Sequence, residues 1–118
     1  MRGGRPNVRG CGDVAYMRHS RMVDVRLTET FDAWLEGLRD VRAKAIIARR
    51  LDGARFGNLG DVVPVGGGVS EMRIHYGPGY RLYLVQRGPE LIVMLGGGDK
   101  ASQKRDIRRA KALAEELD

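Results

Sequence analysis

VSEMRIHYGPGYRLYLVQR, residues 69–87, alternates with a period of two on either side of Gly77-Pro78-Gly79. In the first arm Ser70, Met72, Ile74 and Tyr76 point one way, and Val69, Glu71, Arg73 and His75 the other. In the second arm Tyr80, Leu82 and Leu84 oppose Arg81, Tyr83 and Val85. A period of two is the strand signature, and a short glycine-bearing connection marks a hairpin. A three-residue loop predicts Tyr76 opposite Tyr80, His75 opposite Arg81 and Arg73 opposite Tyr83. Directly opposed residues share a face of the sheet. One face is then apolar. The other gathers Arg73, His75, Arg81 and Tyr83, and chemistry is expected there.

Outward from the hairpin, Gly88-Pro89 turns the chain into Glu90–Leu95, a third strand of the meander. A two-residue turn predicts Arg87 opposite Glu90, Tyr83 opposite Met94 and Arg81 opposite Gly96. Leu91, Val93 and Leu95 then join the apolar face, while Val85, Ile92 and Met94 join the polar one. Gly96-Gly97-Gly98 leaves the surroundings of Arg81 bare, which suits close approach of a ligand backbone. Ser102 reads as the N-cap of a helix over 102–117, with Ile107, Ala110, Leu113, Ala114 and Leu117 inward. Upstream, Val23–Thr28 alternates as a half-buried strand. Thr30 is read as the cap of a helix with Phe31, Trp34, Leu35 and Leu38 on one face. Asp40 caps a second helix, with Val41, Ala45, Ala48 and Leu51 as its inner stripe and Gly57 at its end. Residues 57–68 read as a loop or extended connector. The predicted order is β–α–α–β–β–β–α. The class is α+β, with a small, mainly antiparallel sheet, two helices on one face and a C-terminal helix.

The 118 residues suffice for one domain with a real core. No apolar run reaches the ~18 residues that mark a membrane-spanning helix. The arginine-bearing N-terminus lacks the apolar region of a secretory signal. A single cysteine, Cys11, excludes an internal disulfide and a thiolate zinc cluster, and two histidines, His19 and His75, argue against a metal site. The expectation is a cytoplasmic protein with no metal and no cofactor. Much of the formal charge of +6 falls in residues 1–21, which carry five arginines against one aspartate. This Gly- and Arg-rich stretch reads as a disordered basic leader, and Met22 is a candidate initiator of the domain at 22–118. A basic excess favours polyanionic partners such as RNA, although a solubilising tail explains the charge equally well. Gly66-Gly67-Gly68 lacks the lysine and hydroxyl residue of a P-loop and precedes a strand, which excludes a nucleotide cradle.

Arg73, His75, Arg81, Tyr83 and Lys100 suit a phosphodiester. Arginine forks onto phosphate oxygens, lysine neutralises them, and histidine moves a proton near neutrality. No carboxylate cluster joins His75 for metal-assisted hydrolysis, and neither Ser70 nor Ser102 is placed for a triad. Metal-free RNA cleavage asks for a base at the 2′-hydroxyl, cations for the phosphorane-like charge and an acid for the leaving oxygen. A strand histidine beside arginines is also commonly plain surface, so residue chemistry alone leaves both readings open.

Three separated motifs add to this. They are Gly57-Asn58 with Gly60-Asp61-Val62 and Pro64-Val65-Gly66, then Val69 through Tyr83, then Gly97-Gly98-Asp99-Lys100 with Ser102-Gln103 and Asp106-Ile107. In order and spacing they resemble the addiction-module killer proteins, a phage-derived, HigB-like branch of the RelE/ParE toxin superfamily, over residues 22–117. The resemblance implies a microbial RNase-like fold and a toxin made with a cognate antitoxin, typically a helix-turn-helix protein. RelE-type members enter the ribosome and cut messenger RNA without metal, by attack of the 2′-hydroxyl. Arg81 matches the arginine after the glycine–aromatic pair of the hairpin, and Lys100 stands where an arginine commonly follows the third meander strand. Arg73 and His75 lie on a strand that supplies further basic residues. Together with the polar face, this predicts Arg81, Arg73, His75 and Lys100 as catalytic, with Tyr83, Gly96 and Gly97 along the substrate path. The chain departs from the pattern at residues 99–106, which lack the tyrosine that RelE-type cleavage often uses. The alternative implied by the superfamily is a ParE-type toxin, which inhibits DNA gyrase by binding and is no nuclease.

Overall fold

A computed structural model of the chain describes residues 22–117. The basic leader lies outside the described residues. The elements are β1 (Asp24–Leu27), α1 (Glu29–Glu36), α2 (Val41–Arg55), β2 (Val62–Gly66), β3 (Val69–Arg73), β4 (Arg81–Arg87), β5 (Leu91–Gly98), a 3-10 turn (Lys100–Ser102) and α3 (Gln103–Glu116). They form one sheet in the order β1-β5-β4-β3-β2, in which β1 runs parallel to β5 and the other pairs are antiparallel.

The class is α+β as expected, but the order β–α–α–β–β–β–α lacks one strand. Val62–Gly66, expected to be a connector, pairs with β3, placing Val62 opposite Met72 and Val63 opposite Glu71. The segment carries no polar–apolar alternation to announce a strand. Pro64 is tolerated because β2 is an edge strand, where a missing N–H need not break a ladder.

Local chemistry sets the helix ends. Thr28, not Thr30, caps α1. Its hydroxyl accepts from the Phe31 N–H at 3.2 Å and donates to the Met94 carbonyl at 2.8 Å, so one side chain starts the helix and ties it to β5. Asp40 caps α2 as expected, accepting from the N–H groups of Arg42 and Ala43. The inner stripe of α2 is Ala43, Ile47, Leu51 and Ala54. Of the expected stripe only Leu51 is buried, while Val41, Ala45 and Ala48 face solvent. Both stripes have helical spacing, and the larger Ile47 decides which one faces the sheet. Beyond α2, Gly57 has a φ of 85° and ends the helix in the left-handed region that glycine tolerates.

The sheet has a core on each side. Phe31, Ile47 and Leu51 from α1 and α2 pack with Met72, Ile74, Leu82, Leu84, Ile92 and Met94. On the other side Ala110 and Ala114 of α3 cover Val69, Tyr83, Val85 and Leu95. The face expected to be polar is therefore largely a second core, closed by the C-terminal helix. Leu117, expected inward, is exposed at its end.

Two register differences explain where side chains point. Between β3 and β4, Arg73 faces Arg81 and Glu71 faces Tyr83, with residues 74–80 as the connection. This differs by two residues from the tight-loop reading, so the face of every side chain is preserved. Between β4 and β5, Arg87 faces Leu91 across Gly88, Pro89 and Glu90. That turn is one residue longer than expected, and a one-residue shift exchanges the faces. Ile92 and Met94 thus join the core under α1 and α2 rather than the α3 side. The ladder then skips Leu95, since Leu84 pairs with Met94 and Tyr83 with Gly96. This bulge brings Gly98, not Gly96, opposite Arg81.

Gly97 is a packing requirement. A Cβ there would fall within the Trp34 ring of α1. Trp34 is itself fixed between Phe31 and Tyr80, at ring-centroid distances of 5.8 and 6.2 Å. Gly97→Ala is expected to destabilise by roughly 1–3 kcal/mol through overpacking and to lower the thermal midpoint by about 5 °C or more. Adding Trp34→Leu should recover part of the loss in the same melting experiment. An unchanged midpoint for the single variant would show that α1 yields freely.

Candidate active site

At one end of the sheet, register places three positions in a row: Arg73 at the end of β3, Arg81 at the start of β4 and Gly98 at the end of β5. Asp61 continues the row, because its carbonyl accepts from the Arg73 N–H at 2.9 Å. The N-terminus of α3 packs over this row. A Cβ on Gly98 would collide with the side chains of Asp106 and Ser102, so the glycine lets α3 approach β5. Asp99 and Ser102 form a capping box at the turn before α3, and the Ser102 hydroxyl also donates to the buried Asp106 carboxylate.

Two like charges directly opposed on a sheet repel each other. Glu71, one ladder step away on the same face, answers the arginine pair. It is wholly buried and accepts from Gln103 Nε2 at 2.8 Å, Tyr83 Oη at 3.0 Å and Arg73 Nε at 3.2 Å. Burial pushes the Glu71 carboxyl up. The hydrogen bonds from Gln103, Arg73 and Tyr83, with the charge of Arg81, outweigh it and hold the group below its ordinary value. Tyr83 moves the opposite way, pushed well above its ordinary value by burial and then by the Glu71 carboxylate beside it. Arg81 Nε is buried and has no hydrogen-bond partner. A buried donor without a partner costs about 1–3 kcal/mol.

The connection over residues 74–80 is tied down from three sides. Tyr76 Oη donates to Asp40 at 3.0 Å, and the Ile74 N–H donates to the Tyr80 carbonyl at 2.9 Å. Arg50 donates from one guanidinium nitrogen to the Arg73 carbonyl at 2.7 Å and from another to the Leu59 carbonyl at 2.9 Å. It thus links α2, the segment before β2 and the end of β3.

The sequence-based candidates separate as follows. Arg73 and Arg81 stand together, with Arg73 and Arg81 both partly exposed. Lys100 is exposed at the start of the 3-10 turn, with its Cβ 3.5 Å from where a Cβ on Gly79 would lie, so it borders the same connection. His75 lies past the end of β3 and does not face Arg81. Its Nε2 meets Asp61 Oδ2 at 2.6 Å, and three quarters of its side chain is exposed (75%). Tyr83, expected along the substrate path, is instead fully buried and donates to Glu71. Gly96 and Gly97 line a groove of about 570 Å³ between α1 and α3, walled by Trp34, Arg109 and Leu113. Glu71 and Gln103 did not figure among the candidates. Alternation had already put Glu71 on the Arg73 face, but Gln103 carries no sequence signal for its role. Among the described residues no group of three or more His, Cys, Asp or Glu side chains could hold a metal ion, and no helix is long and apolar enough to cross a membrane.

No family model matches the chain. A Haemophilus influenzae protein without an assigned function is 46% identical over 95 residues, covering 80% of this chain and 96% of that protein. The fold is shared with a chain of the toxin–antitoxin complex RelBE2 from Mycobacterium tuberculosis. The TM-score is 0.53 at 22% identity, over 70% of this chain and 95% of that one.

Proposed function

The chain belongs to the same family as that Haemophilus influenzae protein, and from this premise and the chemistry of the sheet end we propose that it is the toxin of a type II toxin–antitoxin system. In this reading it is a HigB-like messenger-RNA endoribonuclease that works in the cytoplasm on the ribosome, without metal, until a helix-turn-helix antitoxin neutralises it. The observation that carries the reading is the opposed Arg73–Arg81 pair, in which Arg81 Nε is a buried donor lacking an acceptor. A phosphodiester supplies oxygens to the guanidinium groups and a second negative charge beside the single carboxylate of Glu71. Lys100 at the border of the site adds a third cation. The negative charge that grows on phosphorus during attack of the 2′-hydroxyl would meet donors already in place, which is the arrangement that lowers such barriers. His75 is the group that moves a proton, and Glu71 keeps the arginines in position.

The test is controlled expression in cells followed by primer extension on translated transcripts. Growth arrest with cuts in register with codons is the expected result. Growth arrest with intact transcripts and a DNA-damage response would overturn the nuclease reading in favour of gyrase inhibition. Purification with the product of the neighbouring gene tests the antitoxin partner.

A further inference from the structure

Asp61 uses its main chain and its side chain for different things. The carbonyl accepts from the Arg73 N–H and from Arg50, at 2.9 and 3.4 Å, and so joins the segment before β2 to β3. The carboxylate takes no part in that. It is half-exposed and reaches His75 Nε2 at 2.6 Å. The His75 hydrogen bond holds the Asp61 carboxyl below its ordinary value against the opposing effect of burial, and the charges of His75, Arg73 and Arg50 act in the same direction. Near neutral pH Asp61 is therefore a carboxylate, which accepts hydrogen bonds and cannot donate one. The proton of a neutral His75 must then sit on Nε2, and the lone pair on Nδ1. This is the tautomer logic by which a buried aspartate prepares a histidine base in hydrolases, here on the loop that follows Arg73 at the end of β3.

We infer that Asp61 is a positioning residue that fixes His75 in the Nε2–H tautomer, so that Nδ1 serves as the general base for the 2′-hydroxyl. The inference rests on the nuclease reading for the reaction, but not for the tautomer. In the step itself, Nδ1 takes the proton of the 2′-hydroxyl and the 2′-oxygen bonds to phosphorus. The P–O5′ bond breaks, the departing 5′-oxygen takes a proton from water, and the hydroxide left behind takes the proton back from the imidazolium, which restores the base. The products are a 2′,3′-cyclic phosphate and a 5′-hydroxyl. Asp61 touches neither the RNA nor the phosphate. Its effect passes through the imidazole.

The experiment uses Asp61→Asn, which leaves the main-chain bonds to Arg73 and Arg50 untouched. An asparagine amide can donate to Nε2 and so permits the other tautomer. Imidazole ¹⁵N spectra of the full chain, with His75 assigned by its loss in His75→Ala, should show Nε2–H in the native protein and a shift toward Nδ1–H in Asp61→Asn. In the cleavage assay on translated RNA, Asp61→Asn should lose roughly 10²-fold in turnover, with little change in the RNA concentration at half-maximal rate. Combining it with His75→Ala should cost nothing beyond His75→Ala alone, because the two act as one unit. Spectra that ignore Asp61→Asn would overturn the positioning role, and additive losses would overturn the catalytic one. If the native protein leaves RNA intact, the nuclease reading and this base role fall together, while the spectra still decide the tautomer.

Discussion

Glu71→Ala is expected to lower the melting temperature by more than about 12 °C, or to prevent folding. The carboxylate is fully buried and satisfies Tyr83, Gln103 and Arg73 at once. Its removal strands a phenol and an amide without their acceptor and leaves Arg73 opposed to Arg81 without a counter-charge. Breaking a buried charged network by deleting one partner costs roughly 3–5 kcal/mol, and each kcal/mol is worth about 4–8 °C in a domain of this size. Glu71→Gln should cost less, because its amide oxygen still accepts. The same pair of proteins tests the protonation state. Glu71 is held below its ordinary value of 4.5 in the folded protein. Its contribution is then present above that value and lost as the pH falls through the lower, folded one. Denaturant melts below pH 4.5 should show the native protein losing stability more steeply than Glu71→Gln. Asp40 and Asp61, both held below 3.8, add loss of the same sign at lower pH in both proteins. Parallel acid limbs would show that the fold does not hold Glu71 below its ordinary value.

The second large effect is on activity. Arg81→Ala is expected to reduce RNA cleavage by roughly 10²–10³-fold, the usual consequence of losing one fixed donor to transition-state charge. Stability should hardly change. The substitution removes a buried donor that has no partner and relieves the repulsion with Arg73, which offsets the lost attraction to Glu71. Arg81→Lys should not restore the rate, since an ammonium lacks the planar fork. Cleavage in a folded Arg81→Ala protein would remove Arg81 from the site. A large fall in melting temperature would show that it serves the fold instead.

Much of the site was legible because strand alternation is robust. Shifting the β3–β4 register by two residues moves the loop but no side chain changes face, so Arg73, Arg81 and Tyr83 keep their side of the sheet. Turn length was not legible at Gly88-Pro89. There a third residue, Glu90, enters the turn and exchanges the faces of Ile92 and Met94. The Leu95 bulge compensates a few residues later, and so an alternate glycine still faces Arg81. Neither the extra turn residue nor the bulge has a signature in the local sequence, because both are chosen by how β5 packs between α1 and α3.

The sequence by itself determined the α+β class, the helix cap at Asp40 and the basic face of the hairpin. These follow from periodicity and from side-chain chemistry acting within a few residues. Only the tertiary structure decided that β2 exists, that the basic face is roofed by α3 except at its end, that Glu71 is its buried counter-charge, and that His75 answers to Asp61 rather than to Arg81. Each of these joins residues far apart in the chain. Their energies come from desolvation and contact between elements, which no local pattern encodes.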